Sequence, residues 1–254
     1  MSRDIKQEIR KAIANPNLTG ALGRFSEAYA VSRAKAYEGI DFQALRQRIA
    51  EIKGGAAQRQ EELALRFTRQ AEARGAHVYR ASSPQAVRDY ILGLARRKGA
   101  HWVVKSKSMA SEEIHLNAAL TEAGLEVKET DLGEWIIQLA GQRPSHMVMP
   151  AIHLTKEEVA DIFSKEVNER LASDIPRLVK VARKELRQGF LEADIGISGA
   201  NIAVAETGTL VIVTNEGNGR LVTSLPNTHV AIVGLEKLIE RFADMAPILT
   251  ALPR

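Results

Sequence analysis

Not one of the 254 residues is cysteine. That absence removes disulfides, thiolate zinc sites and the usual ligands of iron–sulfur clusters from this chain. Aromatic residues are nearly as scarce, at 5%, which leaves few platforms on which bases could stack. No run approaches the roughly 20 apolar residues of a spanning helix, so no membrane span is expected. The opening MSRDIKQEIRKAIANPN lacks an apolar core and does not read as a secretory signal. Charge of one sign does not dominate either. The net charge is +4, with Lys and Arg spread along polar helix faces, so nucleic acid is not an expected partner. What remains, 45% hydrophobic and 26% charged, is the composition of an ordinary globular protein. Its length suits one large α/β domain or two small ones, and a cytoplasmic location is the simplest expectation.

Hydrophobic spacing divides the chain. Residues 1–74 read as a helical arm, with Phe42, Leu45, Ile49 and Ile52 on one face and Leu63, Leu65 and Phe67 continuing it. Residues 75–254 read as the α/β domain, on which the arm, or a partner, is expected to pack. HVYRA is predicted as its first strand. Ser83-Pro84 opens a helix that stops at Lys98-Gly99, and HWVVKS is the next strand. A helix over Met109–Ala123, the strand LEVKET, a helix capped by Asp131, and the strand HMVMP follow. Thr155 with Glu158 forms a capping-box pattern, and a longer helix runs from about Asp174 to Phe190. This alternation predicts crossovers and a mostly parallel sheet with flanking helices. NIAVAETG, TLVIVTNEG and THVAIVG are expected as short antiparallel neighbours or an added hairpin.

Several groups at the ends of these elements can carry chemistry. Lys105, Ser106, Lys107 and Ser108 leave a strand and enter a helix, where hydroxyls, ammonium groups and free amides favour an anion. The plain alternative is that Ser108 caps the helix and the lysines are solvated. Neither a P-loop spacing nor a G-x-G-x-x-G is present, which argues against nucleotide binding by those routes. Glu112, Glu113 and His115 open that helix, with Glu112 and His115 on one face, either as a metal pair or as carboxylates complementing the helix dipole. His146 and His153 flank HMVMP and are read as ligand-binding or as hydrogen-bonded structural residues. Glu206, Thr207, Gly208 and Thr209 form a tight turn at the end of an apolar strand. Partial burial there would raise the Glu206 pKa and suit it to acid–base or nucleophilic work. A second polar turn presents Asn215, Glu216, Asn218 and Arg220 together, and His229 ends the same glycine-rich region. No metal site is expected.

Three segments carry a family resemblance: VVKSKSMASEEIHLNAAL, ETDLGEWIIQLAGQRPSHMVMPAIH, and ADIGISGANIAVAETGTLVIVTNEGNGRLVTSLPNTHVAIVG. Together with RFSEAYAVSRAKAYEGIDFQALRQRIAEIK in the arm, they resemble the LUD region of the lactate utilisation B family. The resemblance implies a cytoplasmic iron–sulfur subunit that works with two companion proteins to oxidise L-lactate to pyruvate. It implies the fold of CoA transferases, sugar-phosphate isomerases and glucosamine-phosphate deaminases, where small anions bind at the carboxyl ends of strands. Those ends map onto Lys105–Ser108, Glu206–Thr209 and Asn215–Arg220, with Glu206 as the candidate nucleophile by analogy of fold. Family members carry two [4Fe–4S] clusters on C-x-x-C-x-x-C-x-x-x-C motifs beyond the LUD region. This chain has none of those motifs, so it is expected to be a piece cut before them and not redox-active alone.

Three functions compete on this basis. The domain binds a small carboxylate such as lactate or pyruvate and docks its companions; or it is a scaffold for the cluster region and those partners. Otherwise it is an independent enzyme on an acyl or sugar-phosphate substrate using Glu206.

Overall fold

The computed structural model of the chain describes residues 4–254. Numbered along the chain, the arm gives α1 (Ile5–Ala14), α2 (Pro16–Ala36), α3 (Phe42–Gln58) and α4 (Gln60–Glu72). Then come α5 (Pro84–Lys98), β1 (Trp102–Lys105), α6 (Met109–Glu113), α7 (Leu116–Glu122) and β2 (Glu126–Glu129). Helices α8 (Leu132–Ala140), α9 (Lys156–Glu166) and α10 (Ile175–Glu192) lead to β3 (Ile195–Ser198), β4 (Ile202–Val204) and β5 (Thr209–Val211). The chain continues through α11 (Asn218–Ser224), β6 (Thr228–Ala231), β7 (Leu238–Ile239) and α12 (Met245–Ala251).

Two compact units result, each built from two stretches of sequence. One comprises the chain up to Glu38 with Asp131–Arg187; the other comprises Gly39–Thr130 with Gln188–Arg254.

The second unit holds both sheets. The larger is wholly parallel, in the order β2-β1-β3-β6. Strand alternation decides its faces. Val103, Ile195 and Ile197 turn toward Ile91 and Ala95 of α5 and Leu116 and Leu120 of α7, forming one dry cluster. Gly196 faces the opposite way, against α11. The smaller sheet, β5-β4-β7, pairs β4 with β5 as an antiparallel hairpin and with β7 in parallel. Ala203 and Ala205 of this sheet pack on Ala56, Leu63 and Ala64, so α3 and α4 belong to its core. Ile202, Val204 and Ile239 of the same sheet meet Ile52, Met245, Ile248 and Leu249.

The first unit is helical. Trp135 of α8 and Phe163 of α9, both about 1% exposed, anchor it with ring centroids 4.9 Å apart. Thr155 and Glu158 close the expected capping box at the start of α9. Helices α1 and α2 bury no residue at all.

Four local expectations are corrected. HVYRA is not a strand: Tyr79 stacks on Tyr90 at 4.2 Å and Arg80 pairs with Glu61, so side chains rather than a ladder hold it. HMVMP is not a strand either. The amides of Val148 and Met149 both donate to His146 Nδ1, at 3.1 and 3.2 Å, and curl the backbone. The helix expected over Met109–Ala123 breaks into α6 and α7 at His115, whose φ is +51°, so Glu112 and His115 do not share a helix face. Finally, THVAIVG supplies β6, which is parallel to β3, because the short helix α11 intervenes and carries the chain back.

Candidate functional site

In the larger sheet, β1 connects to β2 on one side while β3 connects to β6 on the other. The carboxyl ends of β1 and β3 therefore flank a topological switch point, where open α/β sheets leave a crevice. Polar burial is concentrated there. Of the nine buried polar or charged residues among those described, seven lie at the carboxyl ends of β1, β2 and β3, in the loop after β1 or in α6: Lys105, Ser106, Ser108, Ser111, Glu129, Thr130 and Ser198.

Lys105 is the last residue of β1 and is fully buried. Alternation places it on the α6–α7 side of the sheet. Its Nζ donates to Glu129 Oε1 at 2.8 Å, Ser111 Oγ at 2.9 Å and Glu112 Oε1 at 3.1 Å. Three donors thus meet three acceptors. Burial alone would lower the Lys105 pKa, but the charges of Glu129 and Glu112 outweigh it and the pKa is raised. The Glu129 side chain is 3% exposed and that of Glu112 34%, so Glu112 is the member that reaches water. Asn117 Nδ2 donates to the same Glu129 oxygen at 2.6 Å, and its own Oδ1 is buried without a hydrogen-bond partner.

The opposite side of the sheet carries a second polar set. Thr130 donates both its amide and its hydroxyl to Lys105 O, each at 2.9 Å. Asn218 Nδ2 approaches Thr130 Oγ1 at 3.4 Å, and Thr214 Oγ1 approaches Asn218 Oδ1 at the same distance. Ser106 N donates to Ile197 O at 2.9 Å, tying the loop after β1 to β3. Ser108 caps α6, and Gly199 lies so close to it that a Cβ would stand 2.9 Å from Ser108 Oγ. His229 Nε2 lies 2.8 Å from Ser198 Oγ. Desolvation lowers the His229 pKa, which favours the neutral ring, although the residue as a whole is exposed.

The expected site residues thus divide into three places. Lys105–Ser108 and Asn218 come together at the rim, through Thr130. Asn218 and Arg220 lie in the first turn of α11 rather than in a turn, after exposed Asn215 and Glu216; Arg220 is exposed and forms no ion pair among the described residues. Lys107, half-buried, sits in the loop itself. Glu206–Thr209 belong to the smaller sheet instead. Glu206 Oε2 accepts the amide of Phe242 at 2.7 Å, and Thr207 Oγ1 donates to Thr209 Oγ1 at 2.8 Å. Gly208, at φ +70°, is required there because a Cβ would stand 2.5 Å from Ala71 N. His146 and His153 lie in the helical unit. His146 accepts two amides and meets Phe25 edge-on at 5.7 Å; His153 lies between Ser145 and Gln142 at 2.6 and 2.7 Å.

Sequence reasoning passed over Glu129, Thr130, Ser198 and Asn117. The signal for the first three was present: each is the polar residue that ends or follows an apolar strand segment, in LEVKET and in DIGIS. Asn117, facing inward from α7, had no such signal.

No group of three or more metal-ligating side chains occurs among the described residues, and the chain holds no cysteine. The donor set here does not fit an iron–sulfur cluster. No helix among the described residues is long and apolar enough to cross a membrane.

Residues 64–254 match the family model described as the LUD domain. Over 256 aligned residues the chain is 38% identical to the "Uncharacterized electron transport protein YkgF" of Escherichia coli K12, covering 99% of this chain and 53% of that protein. It is 37% identical to "Lactate utilization protein B" of Bacillus subtilis 168 over 98% of this chain and 52% of that protein. It is 45% identical to the protein of the same name from Geobacillus thermodenitrificans over 71% of this chain and 38% of that one. The chain spans about half the length of the curated relatives it matches. No solved structure matches.

Proposed function

We propose, from the fact that this chain belongs to the LUD domain family, that it serves lactate utilisation by binding a small carboxylate at the rim between β1 and β3. Lactate and pyruvate are the ligands the reading favours, because relatives at 37% identity are named for lactate utilisation. One observation carries the proposal: buried polar groups gather at the ends of three adjacent strands. Burying such groups costs stability unless each is paired, so a fold gains nothing from concentrating them at one place.

The roles follow from the geometry. Lys105 uses its three donors within the chain and fixes Glu129 and Glu112, so it shapes the site rather than meeting the anion. Arg220, exposed and without an ion pair, is the cation best suited to a carboxylate, and guanidinium offers it a two-pronged contact. Asn218 Nδ2 and the Ser106–Ser108 loop supply further donors. Redox chemistry falls to groups this chain does not carry, and no electron-transfer step is assigned to its residues.

Calorimetric titration of the chain with L-lactate and with pyruvate tests this. Saturable binding of one of them is expected, weakened about tenfold or more by Arg220→Ala, as befits loss of a charged hydrogen bond. Absence of binding for both acids, with companion proteins present, would sink the ligand role.

A second reading, partner docking, is favoured by α1. Ile5, Ile9 and Ile13 recur every four residues and are 61%, 51% and 70% exposed. Removing residues 4–36 deletes no buried side chain, whereas removing the whole arm to residue 74 would strip Ala56, Leu63 and Ala64 from the smaller sheet. Capture of the companion lactate-utilisation proteins by the shortened chain at undiminished affinity would overturn arm-mediated docking. Catalysis by Glu206 has less support, since its carboxylate already holds the Phe242 amide.

A further inference from the structure

Helix α10 carries five cations within eleven residues: Arg177, Lys180, Arg183, Lys184 and Arg187. Arg177 pairs with Glu169 at 2.9 Å. The other four are exposed and form no ion pair among the described residues. At about 100° per residue they fall within an arc of about 100°, opposite the buried Leu178, Ala182 and Leu186. Lys180 stands three and four residues from Arg183 and Lys184, and Arg187 four and three from the same two. All four such pairs carry like charges, which destabilises a helix. Elsewhere the chain does the reverse: Arg48 and Arg59 have Glu51 and Glu62 three residues on, at 3.6 and 2.6 Å.

We infer that this stripe is a docking surface for the acidic face of a partner protein. A helix shaped by its own stability would intersperse carboxylates along the arc, as α3 and the start of α4 do. An uncompensated local conflict on a solvent face is the mark of a functional surface. One turn past Arg187 the arc carries a single large apolar side chain, Leu191, too little to anchor in a bilayer, and it has no aromatic ring to stack on a base, which disfavours a membrane or a single-stranded nucleic acid. Its length, about 10 Å, suits one patch of a protein interface, where complementary charge speeds encounter and fixes register. The inference gives chemistry to the partner-docking part of the function proposed above and does not depend on lactate binding.

The test uses the full chain and a fluorescent glutamate-rich peptide as the acidic probe. Anisotropy is expected to show binding at low salt that weakens about tenfold toward physiological salt. R183E/K184E is expected to weaken peptide binding about tenfold or more while its Tm stays level or rises, because like-charge pairs are removed. K6E/R10E, on exposed α1, is the control and is expected to bind as the parent does. Equal binding by R183E/K184E and the parent would overturn the inference. So would a lowered Tm for R183E/K184E, or tighter binding to phosphatidylglycerol vesicles or duplex DNA than to the peptide. The lactate titration is unaffected by any of these outcomes, so the two ideas fail separately.

Discussion

The ammonium of Lys105 and the carboxylate of Glu129 are both almost wholly withdrawn from water, and each makes the burial of the other tolerable. Removing one partner is therefore expected to cost far more than removing both. Lys105→Met should destabilise the fold by about 3–5 kcal/mol in urea unfolding, and adding Glu129→Leu should recover much of that loss. A double variant as unstable as the single one would refute the pairing. The raised Lys105 pKa fixes the pH dependence. Its contribution is fully present below the unfolded value of about 10.4 and is lost as pH rises through the higher folded value, so alkaline stability should fall more steeply in the parent than in Lys105→Met. Asp194 shows the opposite sign. It accepts the amides of His101 and Trp102 at 2.7 and 3.0 Å, and those bonds hold its pKa down. Its contribution is present above the unfolded value of about 3.9 and disappears as pH falls through the lower folded value. Asp194→Asn should cost about 1–2 kcal/mol near neutrality, with the gap to the parent closing in acid.

Among the elements, what could be read in advance followed from length and caps. Helix α5, with Ser83 accepting the Ala86 amide and Gly99 in the left-handed region, matches its sequence pattern at both ends. Asp131 caps α8 as the pattern required. The missed helices share a cause: elements shorter than two helical turns carry too few residues for a period to show. NGRLVTS is one such element, and reading it as a turn hid the fact that β6 returns to the main sheet in parallel. HVYRA alternates and HMVMP is a short apolar run, both of which resemble strands, but neither pattern reveals whether a neighbouring strand is available to pair with. The contact between β3 and α11 depends on a glycine in a way no pattern announces. A Cβ at Gly196 would lie 1.9 Å from Val222 O, so Gly196→Ala must displace α11 or bend β3. A loss of about 3 kcal/mol or more is expected in chemical denaturation. Gly93→Ala provides the contrast. It lies inside α5, where a new Cβ meets only the end of the flexible Arg97 side chain at 3.3 Å, and it should gain about 0.5–1 kcal/mol. Equal effects of the two substitutions would show that α11 does not rest on β3.

Across the whole molecule, the sequence exposed the sheet that builds the candidate site but not how its polar groups divide. Lys105–Ser108 and the Asn218–Arg220 segment were legible because each follows an apolar run. That Lys105 turns inward while Thr130 and Asn218 meet on the other face depends on pleat phase and on β1 lying beside β3, which are properties of the pairing. The division into two units was equally hidden, since each unit joins stretches distant in the chain. It has a direct consequence, because the chain has two tryptophans and each unit holds one: Trp135 in the helical unit, Trp102 in the other. Trp102→Phe and Trp135→Phe therefore isolate the fluorescence of each unit in turn. The sheet-bearing unit contains three apolar clusters. The helical unit includes α1 and α2, which bury nothing. Stability tracks apolar area removed from water, so the Trp135 signal should unfold at lower urea than the Trp102 signal. Superimposable curves from the two variants would show instead that the chain unfolds as a single cooperative body.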